Sequence, residues 1–82
     1  MGVADWRMIA AGNFKYVWHR GRGEELFDME RDPGETRNLA GDPAFCERIC
    51  ALRQDLGAFL AATKDPLLDA WRQESAGRDH TP

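Results

Sequence analysis

The sequence predicts a small α+β domain: an antiparallel sheet of three to four strands packed against one long amphipathic helix, with a short second helix toward the C-terminus. Three observations lead there. Apolar and polar residues alternate from Asp5 to Ala11 and again from Phe14 to His19, on either side of Gly12-Asn13. A third short run, Glu24 to Glu30, follows the glycine-containing break Arg20-Gly21-Arg22-Gly23. The pattern then changes period, and Phe45, Ile49, Leu52, Leu56, Phe59 and Leu60 recur at steps of three and four.

In the first run Trp6, Met8 and Ala10 face one way, Arg7 and Ile9 the other. In the second, Phe14, Tyr16 and Trp18 share a face opposite Lys15, Val17 and His19. Gly12-Asn13 between them is a two-residue hairpin signal, since both residues tolerate positive φ. A lone hairpin is marginal, so the third strand and a helix are required to cover it. Arg31 to Asp42 reads as a structured loop opened by the turn Asp32-Pro33-Gly34, with Leu39 plugging the edge of the core. Asp42 is an N-cap and Pro43 suits the first helical position, where a missing N–H costs nothing. The helix ends near Lys64, because Asp65-Pro66 breaks it. Gly57 is a weak point within it, at about 1 kcal/mol relative to alanine. Pro66 to Glu74, with Leu67, Leu68 and Trp71, forms the second helix. Residues 1–74 are thus one subdomain, and 75–82 a loose polar tail.

The 82 residues allow one domain, with 43% apolar and 30% charged residues and a net charge of −3. That balance excludes a disordered chain and argues against a nucleic-acid partner. No apolar run approaches the length of a membrane span, and residues 1–7 lack the charged-then-apolar pattern of a signal peptide. Cys46 and Cys50 stand four residues apart on a helix, in parallel, which suits a disulfide poorly. They read as reduced thiols compatible with the cytoplasm. With only His19 and His80 beside them, they make no zinc ligand set.

Three ordered elements carry a resemblance. Arg7-Met8-Ile9-Ala10-Ala11-Gly12-Asn13-Phe14-Lys15-Tyr16 is followed by Glu25-Leu26-Phe27-Asp28-Met29, then by Asp32-Pro33-Gly34-Glu35-Thr36-Arg37-Asn38-Leu39-Ala40 and the helix from Pro43. Together, over residues 5–63, they resemble the C-terminal subdomain of the sulfatase family, whose members commonly show R-x-I-x-x-G-x-x-K-Y, L-Y-D-L and D-P-x-E-x-x-N-L-A in this order. The resemblance implies a parent sulfuric ester hydrolase with a divalent metal, calcium, and a formylglycine made from C-x-P-x-R. Both lie outside this chain: Arg48 and Leu52 stand where the proline would follow Cys46 or Cys50. No catalytic or metal residue is therefore carried over. The implied partner is a sulfatase catalytic domain, or an oligomer mate, and the implied role is a non-catalytic subdomain packing on the α/β core and closing one side of its cleft. The parent substrate stays open among aryl sulfates, choline sulfate, sulfated glycans and phosphonate esters.

The substrate-contact candidates are His19, Arg20 and Arg22, a cationic tip at one end of the sheet. A solvated hairpin loop is the plainer explanation. Lys15 reads as a solvated residue or an ion-pair partner of Asp28 or Glu25. Phe14, Tyr16 and Trp18 read as core or docking residues before they read as a sugar platform. Asp28, Asp32, Glu35 and Asn38 lack the alternating oxygen spacing of a calcium loop, and turn capping with pairing to Arg31 and Arg37 accounts for them better. The alternative function is an independent module binding an anionic glycan or a protein partner. A stand-alone hydrolase is disfavoured by the lack of a Ser/His/Asp or Cys/His constellation.

Overall fold

The computed structural model describes residues 5–79, the side chains of 76–79 excepted. Strands β1 (Trp6–Ala11), β2 (Phe14–His19) and β3 (Gly23–Asp28) form an antiparallel meander in the order β1-β2-β3. A 3-10 turn, Pro43–Phe45, leads into helix α1 (Cys46–Ala62), and helix α2 (Leu68–Asp79) closes the described chain. The expected α+β architecture is present, with three strands among the described residues.

The β1–β2 register pairs Ala11 with Phe14 across Gly12-Asn13. Gly12 takes φ 59°, while Asn13 is not among the residues at positive φ. Only the glycine therefore uses the left-handed region, as in hairpin turns with glycine first. In β2 the aromatic face points inward: Tyr16 and Trp18 are 0% exposed. They pack with Phe14, Leu26 and Leu39 against Ile49, Leu52, Leu56 and Leu60 of α1 and Leu67 and Trp71 from the second helical segment. Trp71 meets Tyr16 and Trp18 edge-on, with centroids 6.3 and 5.4 Å apart. Those contacts lock two elements that sequence spacing alone does not connect.

The N-terminal cap forms as expected, with Ala44 N–H donating to the Asp42 carboxylate at 2.9 Å, although its first turn is 3-10. Phe59 does not join the core stripe; it is 54% exposed. Neighbouring positions on an α-helix lie about 100° apart, so Phe59 and Leu60 cannot both face the sheet. Leu60 takes the buried position. At the far end, Arg7 of β1 donates Nε and Nη2 to the two Asp65 oxygens at 2.7 and 2.9 Å, while Asp65 also accepts Leu67 N–H at 2.8 Å. One carboxylate thus turns the chain between the helices and staples that turn to the sheet.

The second helix departs from the expected boundary. It continues through residues 75–79, where the polar composition predicts a loose tail. Glu74 explains part of the extension: its carboxylate accepts Trp18 Nε1–H at 3.0 Å and Gly21 N–H at 3.1 and 3.2 Å. This ties α2 to the sheet where a free tail was expected to begin, and the single Gly77 is a tolerable cost of about 1 kcal/mol. The last three positions of that tail, 80–82, and the first four residues used in the signal-peptide reading lie outside the described residues. Among the described residues, no helix is long and apolar enough to cross a membrane.

Candidate functional site

Asp28 of the second motif element and Asp32, Glu35 and Asn38 of the third bond within the chain itself. Asp28 Oδ1 accepts Asn13 Nδ2–H at 2.7 Å and the N–H groups of Glu30 and Arg31. Burial opposes the charged form, but these donors and the Arg31 charge outweigh it and hold the Asp28 pKa below the ordinary carboxylate value. Asp32 accepts the N–H groups of Thr36 and Arg37 and the Thr36 hydroxyl. Those backbone and hydroxyl donors lower its pKa as well. Asn38 Oδ1 accepts Leu26 N–H and Ala40 N–H, both at 3.0 Å, and its amide nitrogen donates to the Glu24 carbonyl. With Leu39 N–H donating to the Leu26 carbonyl at 2.8 Å, the loop covers the outer edge of β3.

The pairing differs in detail from expectation. Lys15 reaches Glu35 Oε1 at 2.8 Å, in place of Asp28 or Glu25. Lys15 stands beside Phe27 in the β2–β3 register, so Asp28 points to the opposite face of the sheet, and Glu25 is taken by His19. Arg37 pairs with Asp42 at 3.5 Å. A depressed native pKa stabilises the fold above the unfolded value and is lost as pH falls through the native one. Asp28, Asp32 and Asp65 therefore place an acid-sensitive step below about 3.8. Asp32→Asn should lower the urea midpoint near neutral pH and weaken the pH dependence below that value. An unchanged acid profile in this variant would remove Asp32 from the account.

The candidate tip is brought together but largely engaged. His19 Nε2 lies 2.6 Å from Glu25 Oε1, and Arg20 approaches Asp5 at 3.9 Å. Arg22 is exposed and has no ion-pair partner among the described residues. Beneath it, Gly21 is held by Glu74, a residue that sequence reasoning missed. No local pattern marks Glu74, because its partners are 53 and 56 positions away.

A second cluster was also missed. Glu24, at the start of β3, accepts Nε–H of Arg53 at 3.0 Å and Tyr16 O–H at 2.6 Å on Oε2, and a further Arg53 N–H on Oε1. The Glu24 hydrogen bond raises the Arg53 pKa, with burial opposing. This triad joins β2, β3 and α1. A groove of about 520 Å³ beside it is lined by Cys50, Arg53, Gln54, Trp71 and Arg72. Arg53 serves Glu24 there and is not a spare cation.

Cys46 and Cys50 are free thiols exposed on α1. Among the described residues, no group of three or more His, Cys, Asp or Glu side chains could hold a metal ion. The chemistry of the donors agrees, since Asp28, Asp32 and Glu35 are occupied by amides, a hydroxyl and a lysine. Among the described residues the side chains therefore do not fit the calcium that the resemblance implies, and neither cysteine lies in the C-x-P-x-R that formylglycine requires.

A three-stranded meander carrying one long helix and closed by a self-capped acidic loop defines the class: a small α+β subdomain. No protein-family model matches the chain. It is 37% identical over 81 residues to the Delta 4,5-hexuronate-2-O-sulfatase of Bacteroides thetaiotaomicron, a match covering 93% of this chain and 16% of that protein. Human N-sulphoglucosamine sulphohydrolase is 41% identical over 54 residues, covering 66% of this chain and 11% of the relative. A crystal structure of a Bacteroides thetaiotaomicron protein assigned to the sulfatases superposes with a TM-score of 0.69 at 39% identity, over 73% of this chain and 13% of that one. The chain is thus similar over most of its length to sulfatases, and it matches a C-terminal subdomain of that family. It spans no more than 16% of the length of these relatives.

Proposed function

We propose that the chain serves as the non-catalytic C-terminal subdomain of a sulfuric ester hydrolase, packing on the larger α/β domain and bounding one side of its substrate cleft. The observation that carries this reading is proportion: nearly the whole chain aligns with a sulfatase, yet it accounts for 16% of that relative. The motif side chains support it, because they bond to backbone and side-chain groups of this subdomain and lock it together. The glycan-module alternative loses its aromatic platform, since Tyr16 and Trp18 are buried in the core. Within the favoured reading, His19, Arg20 and Arg22 form the cationic end of the sheet, and Arg22 is the best placed of them to meet an anionic substrate.

The test compares the purified chain, with and without calcium, against a chimera of the Bacteroides thetaiotaomicron relative that carries this chain in place of its aligned stretch. The chain alone should not turn over an aryl sulfate, and the chimera should hydrolyse the relative's own substrate. Arg22→Ala in the chimera should raise KM without changing thermal stability. Metal-dependent turnover by the isolated chain that survives substitution of both cysteines would refute the proposal.

A further inference from the structure

The outer face of the sheet, turned away from both helices, carries an exposed apolar patch. Trp6 and Met8 are 47% and 41% exposed there, next to Val17 and Phe27, which are already below 9%. The register sets Met8 beside Val17 and Trp6 beside His19, so these side chains form one patch across the strands. A shallow cavity of about 250 Å³ runs between Trp6, Met8 and Val17. The polar side chains on this face are paired within it: Lys15 meets Glu35 at 2.8 Å and His19 Nε2 lies 2.6 Å from Glu25 Oε1. The patch therefore favours an apolar counterpart over a charged one.

The patch runs into the β1 edge, which has no partner strand among the described residues. Arg20 N–H donates to the Asp5 carbonyl at 2.8 Å, which makes Asp5–Arg20 a hydrogen-bonded pair. By alternation, Arg7, Ile9 and Ala11 also bond to β2, and the backbone groups of Met8 and Ala10 point away from it. The opposite edge of the sheet is covered by Asn38 and Leu39. Phe59 is the competing apolar feature, but it stands singly on α1 with no open backbone beside it, and a single exposed apolar side chain is ordinary.

Resting on the function proposed above, we infer that the Trp6–Met8–Val17–Phe27 face and the β1 edge form the seat of the sulfatase's larger α/β domain, which contributes an apolar surface with an extended segment along β1. The occupant is argued from scale, since more than four-fifths of the related sulfatase lies outside the aligned stretch. Apolar contact would supply the burial, and the exposed edge would supply directional hydrogen bonds.

The experiment is thiol labelling, read peptide by peptide by mass spectrometry. Trp6→Cys, Met8→Cys and Phe59→Cys are made singly in a Cys46→Ser, Cys50→Ser background, both as the free 82-residue chain and within the chimera. All three should label fast in the free chain. In the chimera, positions 6 and 8 should be protected by about tenfold or more while position 59 stays reactive. Protection of position 59 with reactive positions 6 and 8 would give docking to the helix and overturn this face, leaving the packing reading intact. Fast labelling at all three positions in a folded chimera would overturn both. Sedimentation of the free chain decides the matter if the chimera does not fold. A monomer is expected, whereas a dimer dissolved by Met8→Asp would assign the face to a second copy.

Discussion

Glu24→Gln should lower the unfolding free energy by about 1–3 kcal/mol, the cost of leaving a largely desolvated polar partner unsatisfied. The side chains of Glu24 and Arg53 are only 9% and 16% exposed, so little solvent is available to replace the lost charge. A carboxylate accepts from Arg53 and Tyr16 on both oxygens. An amide offers one oxygen and turns an N–H₂ donor toward groups that are themselves donors. A chain of this length has total stability of about 4–12 kcal/mol, so the loss should shift the urea midpoint plainly. The shift should persist at high salt, because a partly buried pair is poorly screened. Glu24→Leu combined with Arg53→Met and Tyr16→Phe should recover most of it by replacing the polar cluster with packing. A midpoint for Glu24→Gln within error of the parent would show that water already compensates the cluster.

Gly57→Ala should destabilise the chain by about 1–2 kcal/mol, against the sign that helix propensity dictates. In an open helix the substitution gains about 1 kcal/mol. Here the added Cβ would sit 2.8 Å from Trp71 Nε1. The indole is buried and held edge-on by Tyr16 and Trp18, so it cannot swing aside as a flexible side-chain end would. Overpacking a filled core costs about 1–3 kcal/mol, which exceeds the propensity gain. Trp71→Phe should reduce the penalty of Gly57→Ala in a double-mutant cycle by removing the clashing ring edge. Urea denaturation of the four proteins measures it, and a more stable Gly57→Ala would mean the helices separate more easily than their packing indicates.

These two positions mark where local pattern stops being informative. Glu24 reads as one acid in a strand, and its meaning comes from an arginine 29 positions away on a helix. Gly57 reads as a flaw in an amphipathic stripe, yet it is the contact point for the second helix. Lys15 shows the same limit on a smaller scale. Strand alternation leaves it solvated or paired with Asp28 or Glu25, but the partner it takes, Glu35, depends on how the following loop folds back.

What the linear chain settles is whatever depends on near neighbours. Period-two alternation sets the strands, glycine at the first hairpin position sets the turn, and Asp42-Pro43 and Asp65-Pro66 bound the long helix. The ordered motif carries the resemblance to sulfatases, and it is legible because it records a loop whose capping bonds are mostly short-range. Three-dimensional packing settles the rest: the Glu24–Arg53–Tyr16 cluster, the Glu74 tether that carries α2 past its expected end, and the exposure of Phe59 beside a buried Leu60. Those outcomes turn on partners dozens of positions apart, whose meeting is created only when the sheet and both helices close on one core.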